Sequence, residues 1–87
     1  MKLNDSDYIK IKRNILKKLY SKQIFGKGHL LYERLKTSIP PHLKGFIKEI
    51  LKDLLREELV LIYGKTKHEY AYQLNIKKLR EIEELIF

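Results

Sequence analysis

In the stretch SIPPHLKGFIKEILKDLLREELV, Ser38 to Val60, a basic side chain recurs at every fourth position: Lys44, Lys48, Lys52 and Arg56. Four-residue spacing keeps side chains on one side of an α-helix. A lysine ammonium is a compact, hydrated point charge that suits phosphate, whereas bidentate reading of guanine favours arginine. The outer face holds no Arg, Asn or Gln in its first two turns. The chemistry this spacing supports is therefore contact with phosphate oxygens, with limited reading of base edges. A second basic group follows in GKTK, where Lys65 and Lys67 flank Thr66.

Catalytic chemistry finds little support. GKT resembles the end of a phosphate-binding P-loop, but the glycine required five positions before Gly64 is Leu59, and the turn leads into a strand-like segment. His29, His42 and His68 are far apart and lack metal-ligand spacing, and there is no cysteine to act as nucleophile or thiolate ligand. Asp5 and Asp7 suit the start of a helix, while Glu57 and Glu58 suit a solvated helix end. The expectation is a protein that is not an enzyme and carries no cofactor.

The elements that must position these lysines are legible from periodicity. Asn4, Asp5 and Ser6 suit an N-cap, and Tyr8, Ile11, Ile15 and Leu19, with Leu16 and Tyr20, then recur at helical spacing. Ile24 and Phe25 suggest a short strand, and Gly26 and Gly28 the break after the first helix. HLLYERLKTS predicts a short second helix with Leu30, Leu31 and Leu35 on one side. Pro40 and Pro41 suit the entry to a third, because a first-turn residue needs no intrahelical N–H partner.

That third helix, about 41–57, carries Leu43, Phe46, Ile47, Ile50, Leu51, Leu54 and Leu55 as an apolar stripe. Opposite it lie Gly45, Lys48 and Lys52, flanked by Lys44 and Arg56, with Glu49 and Asp53 on the other flank. Gly45 costs about 1 kcal/mol inside a helix relative to Ala, which points either to something approaching the backbone or to close packing on the second helix. The period then changes. LVLIY, GKTK and HEYAYQL predict a hairpin, about 59–74, with Tyr70, Tyr72 and Leu74 on its buried face. Asn75 caps a last helix, about 76–87, whose apolar face is Ile76, Leu79, Ile82 and Ile86. Tyr8, Tyr20, Tyr70 and Tyr72 fall at core spacings, leaving Tyr63 beside the hairpin turn as the tyrosine best placed for stacking.

Composition bounds the whole. Eighty-seven residues suffice for one domain with a modest core, and 44% hydrophobic with 34% charged residues describes a globular chain. No apolar run approaches a membrane span, so a cytoplasmic location and no membrane partner are expected. The net charge of +8 is uneven: residues 1–48 carry +9 and residues 49–87 carry −1. A concentrated positive field suggests a polyanion, with a solubilising lysine coat as the alternative.

The order helix, strand, helix, turn, helix, hairpin, helix, carried by HLLYERLKTSIPPHLKGFIKEILKDLLREELVLIYGKTKHEYAYQL, resembles the winged helix-turn-helix DNA-binding domains. Pro40 or Pro41 with His42, Leu43, Gly45 and Lys48, then Leu74 and Asn75, look like small archaeal members of that family. The resemblance spans about residues 24–87. It implies an α+β winged helix-turn-helix fold, mostly helical, in which the third helix and the wing contact double-stranded DNA. It places Ser38, Pro41, His42, Lys44, Gly45, Lys48, Lys52, Lys65, Thr66 and Lys67 at the interface. A transcriptional regulator or chromatin-associated factor is then expected. A protein-interaction module and a structured-RNA binder remain alternatives, because the same fold serves both. Ile82, Leu85, Ile86 and Phe87 crowd the chain end, which predicts a homodimer through the first and last helices.

Overall fold

The computed structural model describes residues 4–25, 28–67 and 69–87, with Ser38 described in its backbone alone. Four helices surround a small antiparallel sheet in an α+β arrangement. In chain order the elements are α1 (Asp5–Ser21), β1 (Leu30–Leu31), α2 (Tyr32–Leu35), α3 (Ile47–Arg56), β2 (Val60–Lys65), β3 (Tyr70–Leu74) and α4 (Leu79–Ile86). Short 3-10 turns occupy Lys36–Ser38, Pro41–Phe46 and Ile76–Lys78.

The N-cap of α1 is Asn4, whose side-chain oxygen accepts from the Asp7 N–H at 2.8 Å. The helix does not end at a glycine. Gln23 adopts φ 56°, its N–H donates to the Tyr20 carbonyl, and the Ile24 N–H donates to the Leu19 carbonyl, each at 2.9 Å. That is the Schellman arrangement, in which one left-handed residue satisfies two orphan carbonyls. The same device ends α3: Glu58 has φ 61°, and Leu59 N–H donates to Leu54 O at 3.0 Å. Of the two glycines expected to break the chain, Gly28 has φ +80°, and Gly26 lies outside the described residues.

The expected strand at Ile24 and Phe25 is replaced by a single bridge from Phe25 to Leu74. The paired strand is β1, with Leu30 opposite Tyr72 and Leu31 opposite Ala71. The second helix consequently starts at Tyr32. The sheet order is β1-β3-β2, so β3 is central and β2 is an edge strand.

The third helix departs most from its expected form. Pro41 to Phe46 wind as a 3-10 helix, entered from Pro40 with no side-chain cap, and only Ile47 to Arg56 are α-helical. A 3-10 turn takes three residues rather than 3.6, so the four-residue lysine spacing ceases to mark one face there. Gly45 sits in this turn, and a Cβ built on it would meet nothing within 4 Å. Close packing on the second helix is thereby ruled out as the reason for this glycine.

One core unites the elements. Ile11, Ile15, Leu16 and Leu19 of α1 meet Ile47, Ile50, Leu51 and Leu54 of α3, together with Leu35, Val60, Tyr72, Leu74, Ile82 and Ile86. The last helix folds back on α1 of its own chain. Ile82 and Ile86 are buried, Tyr20 donates to Glu83 at 2.5 Å, and the Tyr20 and Phe87 rings meet edge-on at 5.3 Å. Two of the four residues invoked for a homodimer are thus covered within the chain, and Leu85 and Phe87 stay exposed. Asn75 ties the corner: its amide donates to Glu58 O at 2.7 Å while its oxygen accepts from the Lys77 N–H at 3.1 Å. Among the described residues, no helix is long and apolar enough to cross a membrane.

Candidate functional site

Toward the hairpin tip the core face of the sheet stays open and becomes one wall of a groove of about 870 Å³. The register explains why. Ile62 pairs with Tyr72 and Lys65 with Tyr70, so these four share the face of the core residues Val60 and Leu74. Burial fades along this face from Leu74, at 1% exposure, through Tyr72 at 7% to Tyr70 at 43% and Ile62 at 47%. Tyr70, placed by its spacing in the core, is therefore a surface residue. The strict alternation expected of β3 also fails, since Ala71 and Tyr72 are both buried.

The opposite wall comes from α3, through Lys48, Leu51, Lys52 and Leu55, and from the segment holding Tyr32, Glu33 and Lys36. Lys65 and Lys67 close the groove at the hairpin tip, beside Glu69. The tip is built by Thr66, whose N–H and hydroxyl both donate to Glu69 O at 2.8 Å while Glu69 N–H returns a bond to the hydroxyl at 3.1 Å. Five lysines thus face two glutamates, and Glu33 is engaged by Lys36 at 3.1 Å. The result is an excess of positive charge over an apolar floor.

Three of the five lysines rest on aromatic rings. Lys36 and Lys48 ammonium groups lie 5.4 and 5.8 Å from the centre of the Tyr32 ring, and Lys65 lies 5.5 Å from that of Tyr70. Cation–π contacts at this range hold a charge weakly while leaving it hydrated. Among the described residues, no carboxylate pairs with Lys48, Lys52, Lys65 or Lys67. Two acids are engaged elsewhere: Asp53 of α3 accepts from Tyr8 at 2.6 Å and pairs with Arg56, and Glu57, just past the end of α3, pairs with Lys12 at 2.7 Å. Burial, with the neighbouring Tyr32 and Tyr70 hydroxyls, raises the Tyr72 pKa above the ordinary phenol value. Tyr72 therefore stays neutral and serves as apolar floor.

The sequence-derived interface residues divide into two groups. Lys48, Lys52, Lys65 and Lys67 converge on the groove, and Thr66 shapes the tip between the last two. Pro41, His42 and Gly45 are exposed on the 3-10 turn outside the groove, and Lys44 there is half-buried. The Ser38 side chain lies outside the described residues, as does His68. Tyr63, favoured for stacking, is the bulged residue between Ile62 and Gly64, and its ring stacks on His29 at 4.8 Å and 12°.

Sequence reasoning missed Lys36, Tyr32, Tyr70 and Ile62. The Tyr32 to Lys36 spacing, i to i+4 across a helical turn, was an available signal for an aromatic ring under a lysine. The contribution of Tyr70 and Ile62 depends on where the helices stop covering the sheet, which periodicity does not encode. No protein-family model matches the chain, and neither a curated protein nor a solved structure does.

Proposed function

We propose that the chain binds double-stranded DNA as a winged helix-turn-helix protein, with α3 as the helix nearest the groove of the duplex and the β2–β3 hairpin as its wing. The observation that carries this reading is the convergence of Lys48 and Lys52 from α3 with Lys65 and Lys67 from the hairpin tip and Lys36 beside them. These side chains come from distant parts of the sequence, and a solubilising coat has no need to assemble them on one surface. Lysines without carboxylate partners release counterions from DNA phosphates on binding, which supplies sequence-independent affinity. The absence of arginine from that surface favours phosphate contact over base reading. A role in transcription regulation or in organising chromatin follows, and within a cell it would be exercised in the cytoplasm.

A titration of random duplex DNA at two salt concentrations, followed by fluorescence anisotropy, tests the reading. Affinity should fall steeply with salt, with a slope of roughly −0.9 per phosphate neutralised. Lys65→Glu with Lys67→Glu should weaken binding to every duplex alike and leave the unfolding midpoint nearly unchanged, since exposed turn charges contribute little to stability. Affinity for a folded RNA above that for duplex DNA would transfer the site to RNA. Absence of salt-dependent binding to either would favour a protein-interaction module.

A further inference from the structure

The basic rim of the groove accounts for phosphates, but its floor does not. Ile62 and Tyr70, each nearly half exposed, and Leu55 present apolar and aromatic surface over the buried Leu51 and Tyr72. A paired duplex offers phosphates and base edges, while its base faces are covered by their neighbours in the stack. An unpaired nucleotide offers both a phosphate and an uncovered π-face. Single-strand binding surfaces elsewhere combine these same two elements, a positive groove along the backbone and aromatic rings on which bases stack.

We infer that the groove between α3 and the hairpin takes an unpaired DNA strand leaving a duplex, with its phosphates on Lys48, Lys52, Lys65 and Lys67 and a base against Tyr70 and Ile62. This rests on the nucleic-acid reading above and narrows it to DNA ends, forks and gaps. Three features support the assignment. Lysines stand on both walls, so a single backbone can be held between them. Tyr70 is the most exposed of the three groove tyrosines; its ring centre lies 6.4 Å from that of Tyr72, whose burial holds the platform in place. Lys65 stands over the Tyr70 ring on a flexible, exposed side chain, so a base stacking there takes the place of the ammonium, which moves out to the phosphate of that base. An acidic peptide would satisfy the lysines but leave the flat aromatic surface without a matching partner.

The experiment compares three fluorescent ligands on the full chain: a blunt duplex, the same duplex with a short unpaired thymidine tail, and that duplex with a tail of equal length made of abasic units. The thymidine tail should raise affinity about tenfold over the blunt duplex. The abasic tail, which adds the same phosphates without bases, should give back most of that gain. Tyr70→Ala should abolish the preference for the tailed over the blunt duplex, whereas Tyr70→Phe, which keeps the ring, should retain it. Equal affinity for tailed and blunt duplexes overturns this inference and leaves duplex binding standing; no binding to any of the three overturns both. Full retention of the gain by the abasic tail reduces the effect to charge and overturns the stacking. Displacement of the tailed duplex by polyglutamate as readily as by unlabelled tailed duplex would assign the groove to acidic peptides and likewise overturn it.

Discussion

Tyrosine and lysine are used in opposite ways on the two sides of this molecule. Along α1 they close contacts between elements: Tyr8 donates to Asp53 of α3, Tyr20 donates to Glu83 of α4, and Lys12 pairs with Glu57 just past the end of α3. Arg13 reaches the Ile86 carbonyl, and Lys18 donates to the Arg34 carbonyl and the Thr37 hydroxyl, at the end of the short second helix. Burial and the nearby Lys22 and Arg34 push the Lys18 pKa down. In the groove Tyr70 is nearly half exposed and no carboxylate pairs with Lys48, Lys52, Lys65 or Lys67 among the described residues, while a lysine over a ring occurs on both sides, Lys12 on Tyr8 as well as Lys65 on Tyr70. The contrast teaches that pairing by acids, more than the number of lysines, separates a surface that ties elements together from one whose charges stay open to solvent.

The strongest way to break the comparison is at the apolar seam of the α1 side. Ile82→Ala should cost about 2–5 kcal/mol, because the side chain is fully buried and its neighbours relax only partly into the space. Chemical denaturation reads this directly. A midpoint independent of protein concentration would show that the seam is satisfied within one chain, whereas a rise with concentration would restore the homodimer.

A smaller effect is expected at Tyr8. Its hydroxyl is pushed up to about 12 from 10.0, by burial first and then by the bond to Asp53 and the charges of Asp53 and Glu57. The folded value lies above the unfolded one, so this contribution is fully present below pH 10 and is lost as pH rises through about 12. Tyr8→Phe should cost about 1 kcal/mol at neutral pH and flatten the alkaline loss of stability. Tyr70→Phe, in the groove, should alter neither; an equal cost at both positions would erase the distinction between the two sides.

The smallest stability effect belongs to the groove lysines. Lys48→Ala should change unfolding free energy by no more than about 0.5 kcal/mol, since no acid partner is lost. The same substitution should reduce the magnitude of the salt slope for DNA by about 1. A destabilised variant with an unchanged slope would assign Lys48 to the fold instead.

The sequence by itself determined the apolar faces of α1 and α3, the burial of Ile82 and Ile86 in α4 though not of Ile76, which is 56% exposed in a 3-10 turn, the hairpin with its lysine-bearing tip, and the caps at Asn4 and Asn75. Each follows from local rules: helical or alternating periodicity, or the hydrogen bond of a short polar side chain to the N–H two or three residues on. It also marked Lys48, Lys52, Lys65 and Lys67, because charge on the exposed side of an element is visible in its spacing. Tertiary structure decided the rest. Gln23 and Glu58 end their helices in a left-handed conformation without glycine, held by packing and two carbonyl bonds each. Pro41 to Phe46 tighten into a 3-10 turn that removes Lys44 from the lysine row. Leu30 and Leu31 leave the second helix for the edge of β3, where a strand awaited a partner. The groove itself arises because the core face of the sheet is less closely covered toward the hairpin tip, which leaves Tyr70 and Ile62 open among five lysines. Periodicity records which face of a strand a residue occupies; how far another element reaches across that face is set by the packing of the whole chain.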